Sequence, residues 1–123
     1  MGIDIYAEWR GQSEVAKRDQ RQAWLTVEAG NVGYLREAYH GEPYATKFLC
    51  AEAFETGRAS ISAAVLRQRL PKALELVEVR ERNIYHETRA EIEKVKQSFR
   101  DFVALCEAKE KETGEPVCII ASF

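Results

Sequence analysis

The densest group of chemically versatile side chains lies in residues 32–44, which read VGYLREAYHGEPY. Three of the five tyrosines and one of the two histidines fall within this segment. Tyrosine joins an apolar ring to a polar hydroxyl, and an arginine guanidinium can grip a carboxylate or a phosphate. Histidine titrates near neutral pH and can therefore work as a general acid or base. These residue types make the segment the best candidate for a functional site.

The leading hypothesis from these residues is a non-enzymatic binding or accessory domain without a cofactor. Residues 34–44 would form its recognition surface, because they carry binding groups but no complete catalytic set. A purely structural role competes with this, since tyrosines of an irregular segment often pack their rings and tie their hydroxyls to the backbone. The expected binding residues are Tyr34, Arg36, Tyr39, His40, Glu42 and Tyr44.

The alternative is a small hydrolase- or lyase-like enzyme in which His40 is the acid or base and Arg36 the anion clamp. Glu37, Glu42 or Asp4 would then support the imidazole, so the catalytic candidates are His40, Glu37 and Asp4. This alternative requires His40 to reach a carboxylate and to open onto a concave pocket.

Other kinds of site have weaker support. The phosphate-binding, dinucleotide-binding, zinc-protease and serine-hydrolase motifs are missing from the sequence. Cys50, Cys106 and Cys118 form no C-x-x-C pair, which favours three buried thiols and no metal site. A third hypothesis is nucleic-acid binding through basic helix faces, although the acidic neighbours dilute them. Those faces would carry Lys17, Arg18, Arg21, Arg67, Arg69 and Lys72.

Length and charge set the general class of the protein. With 123 residues and a net charge of −2, we expect one globular domain spanning residues 1–123. The composition gives no drive toward nucleic acid or membrane, and no targeting or membrane-spanning run is evident. We therefore expect a cytoplasmic protein. It could form a homodimer, and its ligand could be a small molecule or a protein.

Periodicity predicts strands at both ends of the chain. Residues 3–10 alternate apolar and polar side chains, as a strand covered on one face does. Residues 117–123 lack a clearly polar face, which indicates a central strand beside the first. Residues 24–27 and 58–61 are predicted as further strands, and residues 12–22 as an exposed helix or loop. Residues 32–49 favour a short extended piece followed by a helical turn.

Capping signals place the helices in the C-terminal half. Ser62 is a predicted N-cap, and Pro71 is expected to break the following helical stretch in two. Thr88 and Glu91 fit a capping box before an apolar stripe, and Gly114 ends that helix. The predicted fold is α+β: one layer of mostly antiparallel strands, both terminal strands included, packed against two or three helices.

The opening MGIDIY, the block GYLREAYHGEPYAT at 33–46 and the ending SFRDF with CIIAS resemble a small family of uncharacterised bacterial proteins along nearly the whole chain. The chain is also loosely similar to phage-associated proteins that open with M-G-L-D-M-Y and carry a G-Y-W-R-K-x-N-x-x-H-like block. Leu35, Glu37 and Tyr39 depart from that block, and His40 falls earlier than its histidine. Neither resemblance implies a function, but both imply contact between the acidic first strand and the Gly-Tyr-x-Arg segment.

Overall fold

The computed structural model describes residues 2–25 and 29–123, with only the backbone of Leu25. Its four-stranded sheet has the order β2-β1-β4-β3, and every neighbouring pair is antiparallel. The predicted α+β class, with both terminal strands in one sheet, is confirmed. The strands are β1 Gly2–Glu8, β2 Tyr34–Ala38, β3 Arg58–Ile61 and β4 Val117–Ser122.

The first and last strands lie side by side in the middle of the sheet, as the sequence predicts. β1 pairs with β4 in a register that sets Ile5 opposite Ala121. Ile3, Ile5 and Ala7 are buried on one face of β1, and the residues between them are only partly buried. This alternation fixes which face of the sheet receives the helices, because a shift of one residue would expose the apolar set.

Helices cover the face of the sheet that carries Ile3, Ile5 and Ala7. The two long helices pack against each other, and their buried Leu66, Val77, Phe99 and Phe102 join the strand residues in one core. The helices are α1 Glu14–Gln22, α2 Ala45–Leu49, α3 Ala53–Thr56, α4 Ala63–Asn83 and α5 Arg89–Thr113, with 3-10 turns at Ala23–Leu25 and Gly30–Val32. No helix within the described part of the chain is long and apolar enough to cross a membrane.

Pro71 does not divide α4, so the predicted break is wrong. The Ser62 hydroxyl accepts a hydrogen bond from the Val65 amide at 3.3 Å, and the helix then runs unbroken to Asn83. A proline inside a helix costs about 3 kcal/mol. Leu66 and Leu70 before the proline and Val77 after it are buried in the same core, and burial of each contributes about 1.5–3 kcal/mol. A continuous helix keeps the residues on both sides of the proline in this core, which offsets the cost of the proline.

The predicted N-cap Thr88 and terminal Gly114 of α5 are confirmed, but the described residues show no return hydrogen bond from the Thr88 amide to the Glu91 carboxylate. The Thr88 hydroxyl accepts from the Glu91 amide at 3.2 Å, which is the first half of the capping box. Gly114 has a φ of 78° and donates its amide to the Glu110 carbonyl at 2.8 Å, which closes the helix. A residue with a side chain would be strained at that φ, so the glycine determines where the helix stops.

The strand predicted at residues 24–27 is wrong for its described part. Ala23 keeps a helical backbone and donates to the Gln20 carbonyl, so α1 continues as a 3-10 turn through Trp24 and Leu25. The continuing helical hydrogen bonds override the β preference of Trp24. Thr26 and Val27 lie outside the described residues.

Gln20 joins α1 to the sheet, although the sequence predicts residues 12–22 only as an exposed helix or loop. Its side-chain amide donates to the Ala7 carbonyl at 2.7 Å and to the Gly33 carbonyl at 3.0 Å. Val15 is exposed. The polar helix α1 is therefore attached to the sheet by the buried Gln20 amide, and its hydrophobic side chains contribute little to that attachment.

Candidate functional site

Strand β2 divides the predicted site between two faces of the sheet. Successive side chains of a strand point to opposite faces. Tyr34 and Arg36 therefore lie on one face with Asp4, while Glu37 lies on the helix-covered face with Leu35. The expected surface along residues 34–44 is thus two separate groups of side chains.

The first group joins Asp4, Tyr34 and Arg36. Asp4 and Arg36 are direct cross-strand partners, and Arg36 Nη1 donates to Asp4 Oδ1 at 2.7 Å. The Tyr34 hydroxyl donates to the same oxygen. The contact that the resemblances imply between the first strand and the Gly-Tyr-x-Arg segment is therefore present in the structure.

Tyr34 is a structural member of this group. It is 1% exposed, and its ring lies 5.2 Å from the Tyr6 ring. Burial raises the pKa of the Tyr34 hydroxyl, and the hydrogen bond to Asp4 raises it further. The phenol therefore stays protonated as a donor to Asp4. Because it is buried, Tyr34 is not accessible to a ligand, although the sequence predicted it as a binding residue.

The second group centres on Glu37, whose side chain is fully buried. Oε1 accepts from the Thr46 amide at 2.9 Å and from the Thr46 hydroxyl at 2.6 Å. Oε2 accepts from the Ala45 amide at 3.1 Å, from His40 Nε2 at 2.9 Å and from Arg80 Nη1. Glu37 therefore caps the start of α2, where Tyr44 supplies no side-chain cap.

Glu37 is held as a carboxylate. Burial alone would raise its pKa, but the Arg80 charge and the hydrogen bonds from Thr46 and His40 lower the pKa below its ordinary value. Five donors fill the two oxygens, which offer about four lone-pair positions. Glu37 is consequently a structural anion with no capacity left to accept a proton from a substrate.

His40 is closed off from solvent. Its side chain is 3% exposed, its ring lies 4.6 Å from the Tyr44 ring, and Tyr85 lies edge-on at 6.3 Å. Since the ionised Glu37 can only accept, His40 Nε2 carries the proton. Nδ1 is buried and has no hydrogen-bond partner among the described residues. His40 reaches a carboxylate, as the enzyme alternative requires, but it does not open onto a pocket.

The end of the segment forms a turn between β2 and α2. Tyr39 is 46% exposed, and Glu42 pairs with Lys47 at 3.0 Å on the surface. The Tyr44 hydroxyl accepts from the Gly41 amide at 3.1 Å. Of the six expected binding residues, Arg36, Tyr39 and Glu42 are exposed, and Tyr44 is partly buried.

The concave surface nearest to this segment is a cleft of about 370 Å³ along β2. One wall is β2 itself, and Val95, Ser98 and Phe99 of α5 lie opposite. Trp24 follows Ala23, which packs with Tyr34 at the start of β2, and the Tyr85 ring lies 6.3 Å from that of His40, just past the end of the strand. Both side chains line the cleft, with Trp24 60% and Tyr85 38% exposed. We call this feature the β2 cleft, and its volume is in the range of small-ligand sites.

Sequence reasoning missed four residues of this region, namely Trp24, Thr46, Arg80 and Tyr85. Arg80 had a detectable signal, because it continues the buried stripe of Leu70, Ala73 and Val77 on α4. A charged residue in such a stripe needs a buried partner. Trp24 and Thr46 lie near residues 32–44 but carry no motif, and Tyr85 lies far from them in the sequence.

Two cysteines are buried, and one of the two predicted basic faces is paired with acidic side chains. Cys50 and Cys106 are buried, and burial raises the pKa of the Cys106 thiol to about 12; Cys118 is only partly buried. The described residues contain no group of three or more His, Cys, Asp or Glu that could hold a metal ion. Arg67, Arg69 and Lys72 pair with Glu107, Glu52 and Glu75, which neutralises that stripe.

The chain matches no protein-family model, no curated protein and no solved structure. The resemblances therefore stay predictions, and the geometry of the β2 cleft is the remaining guide to function.

Proposed function

We propose that this protein is a non-enzymatic binding domain and that the β2 cleft is its recognition site. The observation that carries the proposal is the position of two exposed aromatic side chains, Trp24 and Tyr85, at the two ends of a concave surface. Amphipathic rings at the ends of a cleft supply contact area at low entropic cost, and they are typical of recognition sites.

The enzyme alternative has less support. Glu37 has its lone pairs filled, and the His40 side chain is 3% exposed, so neither can exchange a proton with a ligand in the cleft without rearrangement. Arg36 and Arg80 give guanidinium hydrogens to Asp4 and Glu37. The acidic and basic groups near the cleft are therefore paired with each other, which favours binding over proton transfer.

A fragment screen tests the proposal. Aromatic and carboxylate fragments are added singly to the protein, and binding is followed by ligand-observed NMR. We expect bound fragments to lose affinity at least tenfold in Trp24→Ala and in Tyr85→Ala. Phe123→Ala is the matched control, since Phe123 is 63% exposed, Trp24 is 60% exposed, and Phe123 does not line the cleft. Fragments that bind all three variants like the parent, or no binding at all, would refute the proposal.

A further inference from the structure

The outer side of β2 offers backbone hydrogen-bonding groups to the cleft. The Ala7 amide donates to the Gly33 carbonyl at 2.9 Å, so these two residues form a hydrogen-bonded pair of the β1–β2 ladder. Such pairs alternate along antiparallel strands, which makes Ile5/Leu35 and Ile3/Glu37 the next ones.

It follows that Tyr34, Arg36 and Ala38 turn their backbone groups away from β1. The Tyr34 amide confirms this direction, because it donates to the Ala29 carbonyl outside the sheet at 3.3 Å. The amides and carbonyls of Arg36 and Ala38 have no partner within residues 2–25 and 29–123. β2 is an edge strand of the described sheet, and a row of backbone groups without partners among the described residues is a template for another extended chain.

The two sides of the cleft would receive different side chains of an added strand. Residues beside Leu35 and Glu37 would point toward the helix face, where the partly buried Val95 provides apolar contact. A residue beside Arg36 would point to the other face. Arg36 gives one guanidinium nitrogen, Nη1, to Asp4, and its side chain is 41% exposed, so further donors are open to a carboxylate.

We propose that the outer edge of β2 takes up an extended peptide segment of a partner protein by strand addition, with an acidic residue beside Arg36 and apolar residues on either side of it. This inference rests on the proposed function, because it names the ligand class of the same cleft. Main-chain hydrogen bonds supply affinity in this binding mode, and alternate side-chain positions supply specificity.

A second copy of this chain fits the edge less well. The antiparallel register that pairs all five residues of β2 with themselves sets Arg36 opposite its own copy. Like charges directly opposite each other destabilise a strand pair. The charge at the middle of β2 therefore favours an acidic foreign segment.

The test selects ligands from a phage library of random peptides. Each peptide is two residues longer than β2, which has five residues. We expect enriched peptides to alternate apolar and acidic residues. Ala38→Pro should weaken their binding at least tenfold, because it removes an amide hydrogen that faces the cleft. Proline at this position breaks no bond to β1, and Ala38→Thr, which keeps the amide, is the matched control. Selection on Arg36→Gln should lose the acidic preference.

The outcomes separate the two proposals. Peptides that bind through Trp24 and Tyr85 but ignore Ala38→Pro would overturn strand addition and leave the binding cleft intact. If no peptide is enriched while fragments still bind the cleft, strand addition is also wrong. If neither peptides nor fragments depend on Trp24 and Tyr85, both proposals fail. Amide hydrogen exchange on the free protein adds a check, because slow exchange at Arg36 and Ala38 would mean that the edge is already covered.

Discussion

Glu37 and Arg80, 43 residues apart in the chain, form a buried ion pair between β2 and α4. Arg80 also holds Glu81 through Nε at 2.9 Å, while Glu37 caps α2. One pair of charges thus connects a strand and two helices, next to the β2 cleft.

Breaking this pair should destabilise the fold strongly. Arg80→Met leaves the Glu37 charge buried without its cation, which costs about 3–5 kcal/mol. Urea unfolding followed by circular dichroism measures the loss. The control is Arg67→Met, which breaks the surface pair with Glu107 at a cost of about 0.2–1 kcal/mol, since both partners are well exposed. Equal losses in the two variants would contradict the central role of the Glu37–Arg80 pair.

Glu37 should also make stability depend on pH. Its pKa is lower in the folded chain than the ordinary value of 4.5, because Arg80 and its hydrogen-bond donors outweigh burial. The unfolded chain therefore binds this proton first as the pH falls. The Glu37 contribution is complete above about pH 4.5 and is lost as the pH drops through the lower folded-state pKa.

The comparison of the parent with Glu37→Gln isolates this contribution, since all other carboxylates are common to both proteins. We expect the difference in the free energy of unfolding to be largest near pH 7 and to shrink toward pH 3. Urea titrations at several pH values measure it. A difference that stays constant across this range would show that Glu37 is not held ionised by its surroundings.

Gly30 should tolerate no side chain. A Cβ built on it would lie 1.8 Å from the Ser98 carbonyl oxygen of α5, and the Gly30 amide donates to the Ser98 hydroxyl at 3.0 Å. Gly30→Ala must therefore push α5 away, at an expected cost of about 3 kcal/mol or more. Thermal unfolding of Gly30→Ala and of the control Gly41→Ala provides the measurement.

At Gly41 nothing lies within 4 Å of an added Cβ, and only its φ of 92° opposes a side chain. The left-handed conformation costs an alanine about 1–2 kcal/mol. If Gly30→Ala were as stable as Gly41→Ala, the Gly30 turn would not pack against α5 as closely as the structure shows.

Local signals in the sequence predicted the elements well. Ser62, Thr88 and Gly114 act within one turn of the helix ends that they cap, so their effects can be read from neighbouring residues. Alternation in residues 3–10 likewise predicted β1 and its buried face. Pro71 misled because the burial that keeps α4 continuous depends on the sheet and on α5.

The candidate site was harder to predict because its parts meet through long-range contacts. Residues 34–44 look like one group in the sequence, but β2 alternation sends Arg36 and Glu37 to opposite faces. The partners that decide their roles, Asp4 and Arg80, come from other elements. Of these two pairings, only the contact with the first strand was predicted, and that prediction came from resemblance.

The two histidines provide the last test, because their reactivity shows whether His40, bound to Glu37, is shielded or is accessible as a base. Diethyl pyrocarbonate modifies accessible neutral imidazoles. His86 is exposed in the turn between α4 and α5, whereas the His40 side chain is 3% exposed. We therefore expect one modified histidine in the folded protein and none in His86→Gln, with His40 reacting only after urea is added. Modification of folded His86→Gln, measured by mass spectrometry, would show that His40 is reachable and would restore the enzyme alternative.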